Sequence, residues 1–207
     1  MIIAIDGYAG TGKSTISVLL AKELNFININ SGLIYRYFGY LLLKNNITNN
    51  NYSLKKNETK TIIEKSNIDF EKFELIKTKL YKQEVSAIGT LIAKEEYARI
   101  KATEFIQNIC KNKNVIVDGR DIGTNVFPNA EFKFFFIIDE TIRAERLLKE
   151  NSNKNIEKLK IELSKRDIED TNREYSPLLK HKDAIQIDTT YSTPSEITKQ
   201  LLNVIKK

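Results

Sequence analysis

Eight consecutive residues, Gly7-Tyr8-Ala9-Gly10-Thr11-Gly12-Lys13-Ser14, set glycines, a lysine and a hydroxyl at the offsets of G-x-x-x-x-G-K-[ST]. That combination binds phosphate. Glycines let backbone N–H groups close around phosphate oxygens, and a helix N-terminus behind the loop adds a partial positive charge. Lys13 has the reach for the β- and γ-phosphates, and the Ser14 hydroxyl, followed by Thr15, can ligate Mg²⁺. Two elements must hold such a loop, and both are legible. Ile2, Ile3, Ala4 and Ile5 form an apolar run long enough for a buried strand, and Ile16 to Leu24 carries apolar residues at helical spacing. The bland alternative is a glycine-rich turn that binds nothing; strand and helix in the required order weigh against it. The sequence therefore predicts a protein that binds a nucleoside triphosphate.

A second group of residues is cationic. Arg36 falls one turn into a helix opened by Ser31-Gly32, and Arg120 stands between Gly119 and Asp121 after the apolar run Val115-Ile-Val-Asp118. Arg166, Asp170 and Arg173 recur at i, i+4 and i+7, which puts them on one helical face. Arg143 and Arg146 share a helix over Glu140 to Glu150. Each arginine can equally be a surface charge, and Arg166 with Asp170 alone reads as a helix salt bridge worth a few tenths of a kcal/mol.

The elements behind these residues follow in order. Strands are expected at Phe26 to Asn30, Val115 to Asp118, Phe132 to Ile138 and Ala184 to Asp188. Helices are expected from Ser31, with that serine as N-cap, to about Lys44, over Glu58 to Lys65, through Gln83 to Cys110, at Glu140 to Glu150, over Ile156 to Glu174, and after the Thr193 cap and Pro194. Ile68 to Tyr81 alternates in part and suggests small strands. Strands alternating with helices predict an α/β fold, a parallel sheet with helices on both faces, and ligands at the carboxyl ends of the strands.

The chain of 207 residues suits one sizeable domain, with 41% hydrophobic residues for a core and 29% charged residues for solubility. No apolar run approaches the roughly 20 residues of a membrane span. The N-terminus reads as a core strand rather than a signal peptide. Cys110 is the only cysteine and His181 the only histidine, so neither a disulfide framework nor a zinc site is expected, which fits a reducing cytosol. The net charge of +6 is spread without a basic block, and it reads as compositional rather than as a nucleic-acid surface.

The motifs together resemble the bacterial cytidylate kinases, within the nucleoside monophosphate kinases. The resemblance is carried by IAIDGYAGTGKST, NSGLIYR, VIVDGRDIGTNVFPNAEFKFFF, RAER, RDIEDTNREYSPL and DAIQIDTT. It implies a five-stranded parallel core (residues 1–30, 111–145 and 175–207), a monophosphate-binding region at about 31–110, and a short lid at about 146–165. It implies transfer of the γ-phosphoryl group from MgATP to CMP or dCMP by a cytoplasmic enzyme, a monomer without nucleic-acid or membrane partners. Gly7 to Thr15, with Arg143 and Arg146 from the lid side, would bind ATP. Arg36, Arg120 and Arg173 would take the acceptor phosphate, Arg166 and Asp170 the ribose, and Thr90, Arg99 and Asp121 the base, with Ser31 also binding CMP. Lys13, Arg120 and Arg173 would be catalytic, and Asp118 would hold Mg²⁺ through water. An anionic acceptor needs no general base, so scarcity of histidine is no objection. The chain departs from the family pattern at Asn30, where an aspartate is usual, at Tyr81, where an arginine stands, and at Leu147, in place of a second lid arginine. P-loop kinases acting on UMP, shikimate or gluconate, and a nucleic-acid-dependent NTPase, are the rival readings.

Overall fold

The computed structural model describes residues 1–68, 73, 75–150 and 155–206. The chain forms two compact units, Met1–Ile29 with Asn112–Lys207, and Asn30–Lys111. The first is built on a five-stranded sheet of β1 (Ile2–Gly7), β2 (Ile27–Asn30), β3 (Val115–Asp118), β4 (Phe132–Ile137) and β5 (Ile185–Asp188), in the order β2-β3-β1-β4-β5. β1 is flanked in parallel by β3, with Ile3 opposite Ile116, and by β4, with Ile5 opposite Phe134, while β5 continues in parallel beyond β4. A strand with neighbours on both sides and both faces covered should be apolar throughout, and Ile3, Ala4 and Ile5 are fully buried.

One face of the sheet presents Ile3, Ile5, Ile116, Phe134, Phe136 and Ile187. It is covered by Ile16, Leu20 and Ala21 from the helix α1 (Lys13–Leu24) and by Ile197 and Leu201 from the last helix, Pro194–Ile205. That last helix opens as expected, with Thr193 and Glu196 in a reciprocal capping box and Pro194 in the first turn. A second cluster joins Ala9 of the glycine loop to Ala144, Leu159 and Leu163, with Leu147 packed against it. These residues come from Glu140–Glu150 and Ile156–Asn172. The latter helix stops at Asn172, two residues short of the expected Glu174, and Arg173 follows in extended backbone with ψ 142°.

Gly7 ends β1 with φ +144°, and a Cβ there would lie 2.3 Å from the Phe136 carbonyl oxygen of β4. Only glycine satisfies both conditions.

The second unit holds α2 (Ser31–Lys44), α3 (Lys56–Glu64), α4 (Gln83–Ile92) and α5 (Glu96–Cys110), so the expected helical stretch from Gln83 is two helices. Two glycines let α2 and α4 meet backbone to backbone. A Cβ on Gly39 would come within 2.7 Å of the Val85 carbonyl oxygen, and one on Gly89 within 3.0 Å of that of Tyr35. Ile34, Phe38, Leu42, Leu80, Ile88 and Ile92 of this unit are buried. The N-cap of α2 is Asn30 rather than Ser31: Asn30 keeps extended backbone and its side chain accepts from the Leu33 N–H at 3.2 Å. Cap duty needs a short acceptor, not a charge, so the amide serves where a carboxylate is usual. Residues 77–81, expected among small strands, form a tight 3₁₀ turn, Lys77–Tyr81; residues 69–72 and 74 of that segment lie outside the described ones.

Candidate active site

The glycine loop connects β1 to α1, so its backbone amides lead into a helix N-terminus. Gly10 and Gly12 adopt φ +75° and +84°. Lys13 is buried, its ammonium donating to the Tyr8 carbonyl and, at 3.1 Å, to the Thr11 hydroxyl. Burial lowers its pKa, as does the nearby Arg120 cation; Asp118 and Asp6 oppose them. The Thr189 hydroxyl, at the end of β5, donates to the Thr11 carbonyl at 3.1 Å and steadies the loop from the other side. Leu147 takes an apolar part: its Cδ1 lies 2.8 Å from where a Gly10 Cβ would stand, so it covers the loop where the family pattern carries a cation.

The Ser14 hydroxyl donates to Asp118 Oδ2 at 2.9 Å, which sets two hard oxygen ligands side by side behind the loop. Burial raises the Asp118 pKa, while the Ser14 hydrogen bond and the Lys13 charge pull it down. No group of three or more His, Cys, Asp or Glu capable of holding a metal occurs among the described residues. A cation here would bring most of its ligands with it, as Mg²⁺ does when it arrives on phosphate oxygens with its own water. The residues therefore fit Mg²⁺, which Ser14 and Asp118 would hold.

Asp6 was not among the residues singled out from sequence, and it organises the site from beneath. Its carboxylate accepts from the Ile122 N–H at 2.9 Å and the Gly123 N–H at 2.7 Å, fixing the turn just after Arg120 and Asp121. Burial pushes its pKa from 3.8 up to about 7, against the pull of those two amides. The folded protein thus keeps a proton that the unfolded chain has released, and the sign follows: the Asp6 contribution to stability falls as pH rises from about 4 to about 7 and is flat above. Asp6→Asn should abolish that part of the slope. It should also cost roughly 1–3 kcal/mol at pH 5, because one amide loses its acceptor. Denaturant midpoints of both proteins at pH 5 and pH 8 measure this; parallel shifts would mean that Asp6 does not titrate in this window.

Four arginines of the first unit are held by defined partners. Arg120 donates from Nε to Asp170 Oδ2 at 2.9 Å and from Nη1 to the Gly119 carbonyl at 3.2 Å. Arg173 reaches back from beyond its helix to Asp170 Oδ1 at 3.4 Å and lies 3.7 Å from Asp121 Oδ1; its Nε donates to the Ser176 carbonyl. Asp170 thus joins Arg120 to Arg173, and the ion pair of Asp121 is with Arg173. Arg166 is exposed on the same helix. Arg143 is buried in a two-pronged pair with Asp167, at 2.6 and 3.0 Å, and Arg146 donates to the carbonyls of Thr189 and Thr190 at 2.7 and 2.8 Å. Both arginines expected from the lid side are thus engaged by the protein's own groups. Asp167 was missed in the sequence, its only signal being a carboxylate beside Arg166 in a helix rich in charge.

In the second unit, Ser31 is buried in the first turn of α2. Arg99, 2% exposed, stacks its guanidinium 5.3 Å from the Tyr35 ring centroid. Thr90 is exposed on α4 and donates to the Ser86 carbonyl at 2.9 Å. Arg36 is half-buried, with its guanidinium carbon 5.1 Å from the ring centroid of Tyr81.

Comparison with known proteins adds an independent line. A family model described as cytidylate kinase matches residues 3–207. The chain is 38% identical to the cytidylate kinase of Clostridioides difficile strain 630, with 99% of this chain and 98% of that one covered. It is 37% identical to the cytidylate kinase of Oceanobacillus iheyensis, with 99% and 94% covered. Among solved structures, a gluconokinase from Sinorhizobium meliloti 1021 superimposes with a TM-score of 0.52 at 13% identity over 97% of this chain and 89% of that one, a likeness of fold alone. With the glycine loop, the sheet order and the arginine–carboxylate network in place, this chain belongs to the cytidylate kinase family.

Proposed function

We propose that the chain transfers the γ-phosphoryl group of MgATP to the phosphate of CMP or dCMP, giving ADP and the nucleoside diphosphate. The observation that carries this reading is the convergence in one unit of a phosphate loop and two arginines, Arg120 and Arg173, bridged by the single carboxylate of Asp170. A phosphate oxygen of the acceptor attacks the γ-phosphorus, the bond to the β–γ bridging oxygen breaks, and ADP leaves. The transferring group is loosely bonded and highly charged, so the protein's task is positioning and charge neutralisation. Lys13 does this on the β/γ oxygens, and Arg120 and Arg173 on the group in flight. Mg²⁺, held by Ser14 and, through water, by Asp118, would neutralise charge on the β- and γ-oxygens. Arg36 takes the acceptor phosphate, Thr90, Arg99 and Asp121 are assigned to the base, and Ser31 to CMP binding. Residues 31–110 act as the monophosphate-binding region and 146–165 as a lid. As the family resemblance implies, the enzyme works as a cytoplasmic monomer. No described helix is long and apolar enough to cross a membrane.

A panel of CMP, dCMP, UMP, shikimate and gluconate, scored by ADP release, tests the reading. CMP and dCMP should give by far the largest kcat/KM, and release stimulated instead by RNA or DNA would overturn it.

Base choice is expected to rest on Asp121. Cytosine carries an exocyclic amine where uracil carries a carbonyl oxygen, and a carboxylate accepts from the first and repels the second. Asp121→Ala should cut kcat/KM for CMP far more than for UMP, narrowing the ratio by roughly tenfold to a few hundredfold. If Asp121 serves only to orient Arg173, both substrates lose equally and the ratio holds.

A further inference from the structure

Arg36 differs from three other arginines of this chain in what holds it. Arg120, Arg143 and Arg173 each lie against a carboxylate: Asp170, Asp167, and Asp170 with Asp121. The Arg36 side chain has no hydrogen bond or ion pair among the described residues, and its guanidinium lies over the Tyr81 ring. The two groups are placed by rigid parts of one unit. The backbone of Arg36 is pinned by the close passage of Gly89, whose Cβ would sit 3.2 Å from the Arg36 Cα. Tyr81 closes the turn Lys77–Tyr81, anchored by its neighbour Leu80, which is fully buried. Tyr81 is 61% exposed, so core packing does not account for where it stands.

We propose that Tyr81 is a positioning residue that presents Arg36 to the phosphate of the acceptor nucleotide. This rests on the assignment of Arg36 to that phosphate made above, and adds the device that holds it. The chemistry favours a ring over a carboxylate. A carboxylate orients a guanidinium but neutralises it and competes with the incoming dianion. An aromatic face orients the same group through its quadrupole, leaves the positive charge intact and occupies none of the five N–H donors. Both edges of the planar fork then remain able to grip phosphate oxygens in pairs. Holding the side chain in place before binding also removes part of the ordering cost at association.

The test uses the full-length enzyme and four variants: Tyr81→Leu, Tyr81→Phe, Arg36→Leu and the double variant Tyr81→Leu/Arg36→Leu. Steady-state KM and kcat are measured for CMP at saturating MgATP and for ATP at saturating CMP, with circular-dichroism melting as the folding control. Tyr81→Leu should raise the KM for CMP roughly two- to fivefold, the worth of one cation–π contact at an exposed site, with the KM for ATP unchanged. Tyr81→Phe keeps the ring face and should match the parent. Arg36→Leu should raise the KM for CMP more than Tyr81→Leu does, and the double variant should be no worse than Arg36→Leu. If Arg36→Leu is impaired while Tyr81→Leu behaves as the parent, or if the two losses simply multiply, the positioning role is overturned and the phosphate assignment stands. If Arg36→Leu leaves the KM for CMP unaltered, the phosphate assignment falls, and the positioning role with it. A failure of Tyr81→Phe to restore the parent KM would also overturn the proposal, because the phenolic hydroxyl rather than the ring face would then be the active part.

Discussion

Lys13→Met should yield a folded enzyme whose turnover on CMP, at saturating MgATP, falls by roughly two to three orders of magnitude. The cation it removes is the one the loop can offer to the β- and γ-oxygens: the other residues of Gly7 to Ser14 are uncharged. Its ammonium now donates to the Tyr8 carbonyl and the Thr11 hydroxyl, so it is already held at the loop and has little distance to travel. Stability should move little or rise. Burial and the Arg120 charge both disfavour the protonated amine, and methionine keeps most of the apolar stem while dispensing with the charge. Stopped-time assays of ADP formation, beside a thermal midpoint, separate the two effects. Turnover within a few-fold of the parent would remove Lys13 from the chemistry, and loss of the folded state would show that it serves the loop's architecture instead.

Asp170→Ala is expected to cost roughly a hundredfold in kcat/KM for CMP, the equivalent of two weakened charge-assisted hydrogen bonds. The family resemblance implies that Asp170 contacts the ribose; the structure shows its carboxylate spanning Arg120 at 2.9 Å and Arg173 at 3.4 Å. Without it, two partly buried guanidinium groups lose their common anchor and repel each other where they are meant to converge. That loss falls on CMP and dCMP alike. Any direct contact with the 2′-hydroxyl adds a further penalty for CMP alone, so kinetics with both nucleotides resolve the two duties. We expect the shared loss to exceed the difference between substrates; a loss confined to CMP would make Asp170 a sugar contact and no brace.

The sequence disclosed what is local. The glycine loop, its strand and its helix are contiguous, so pattern and position agree from residue 2 to residue 24. The cap of the last helix was equally plain, because Thr193, Pro194 and Glu196 act within one turn. What escaped depends on pairs distant along the chain. Asp6 looks like the end of an apolar strand, and nothing near it announces the amides of Ile122 and Gly123. The partners that engage Arg143 and Arg146, Asp167 and the carbonyls of Thr189 and Thr190, belong to other elements and are not legible beside them in the sequence. The α2 cap was misread for a different reason: Asn30 and Ser31 are both good caps, and only the extended backbone of Asn30 decides between them. Tyr81 was visible as a departure from the family pattern, but its relation to Arg36 required the fold.

The glycine that opens the phosphate loop carries a consequence for how this region tolerates change. At position 7 a side chain collides with the Phe136 carbonyl oxygen whether or not any nucleotide is bound, so the demand for glycine comes from strand packing. At position 13, on the role proposed for Lys13, the demand comes from the reaction. Selection of a random library for cellular abundance should therefore reject nearly every residue at position 7 and admit many at position 13. Selection of the same library for phosphorylation should reject both. A descendant that had abandoned catalysis would shed Lys13 long before Gly7, leaving a loop that still reads as half a motif in a protein that no longer turns over.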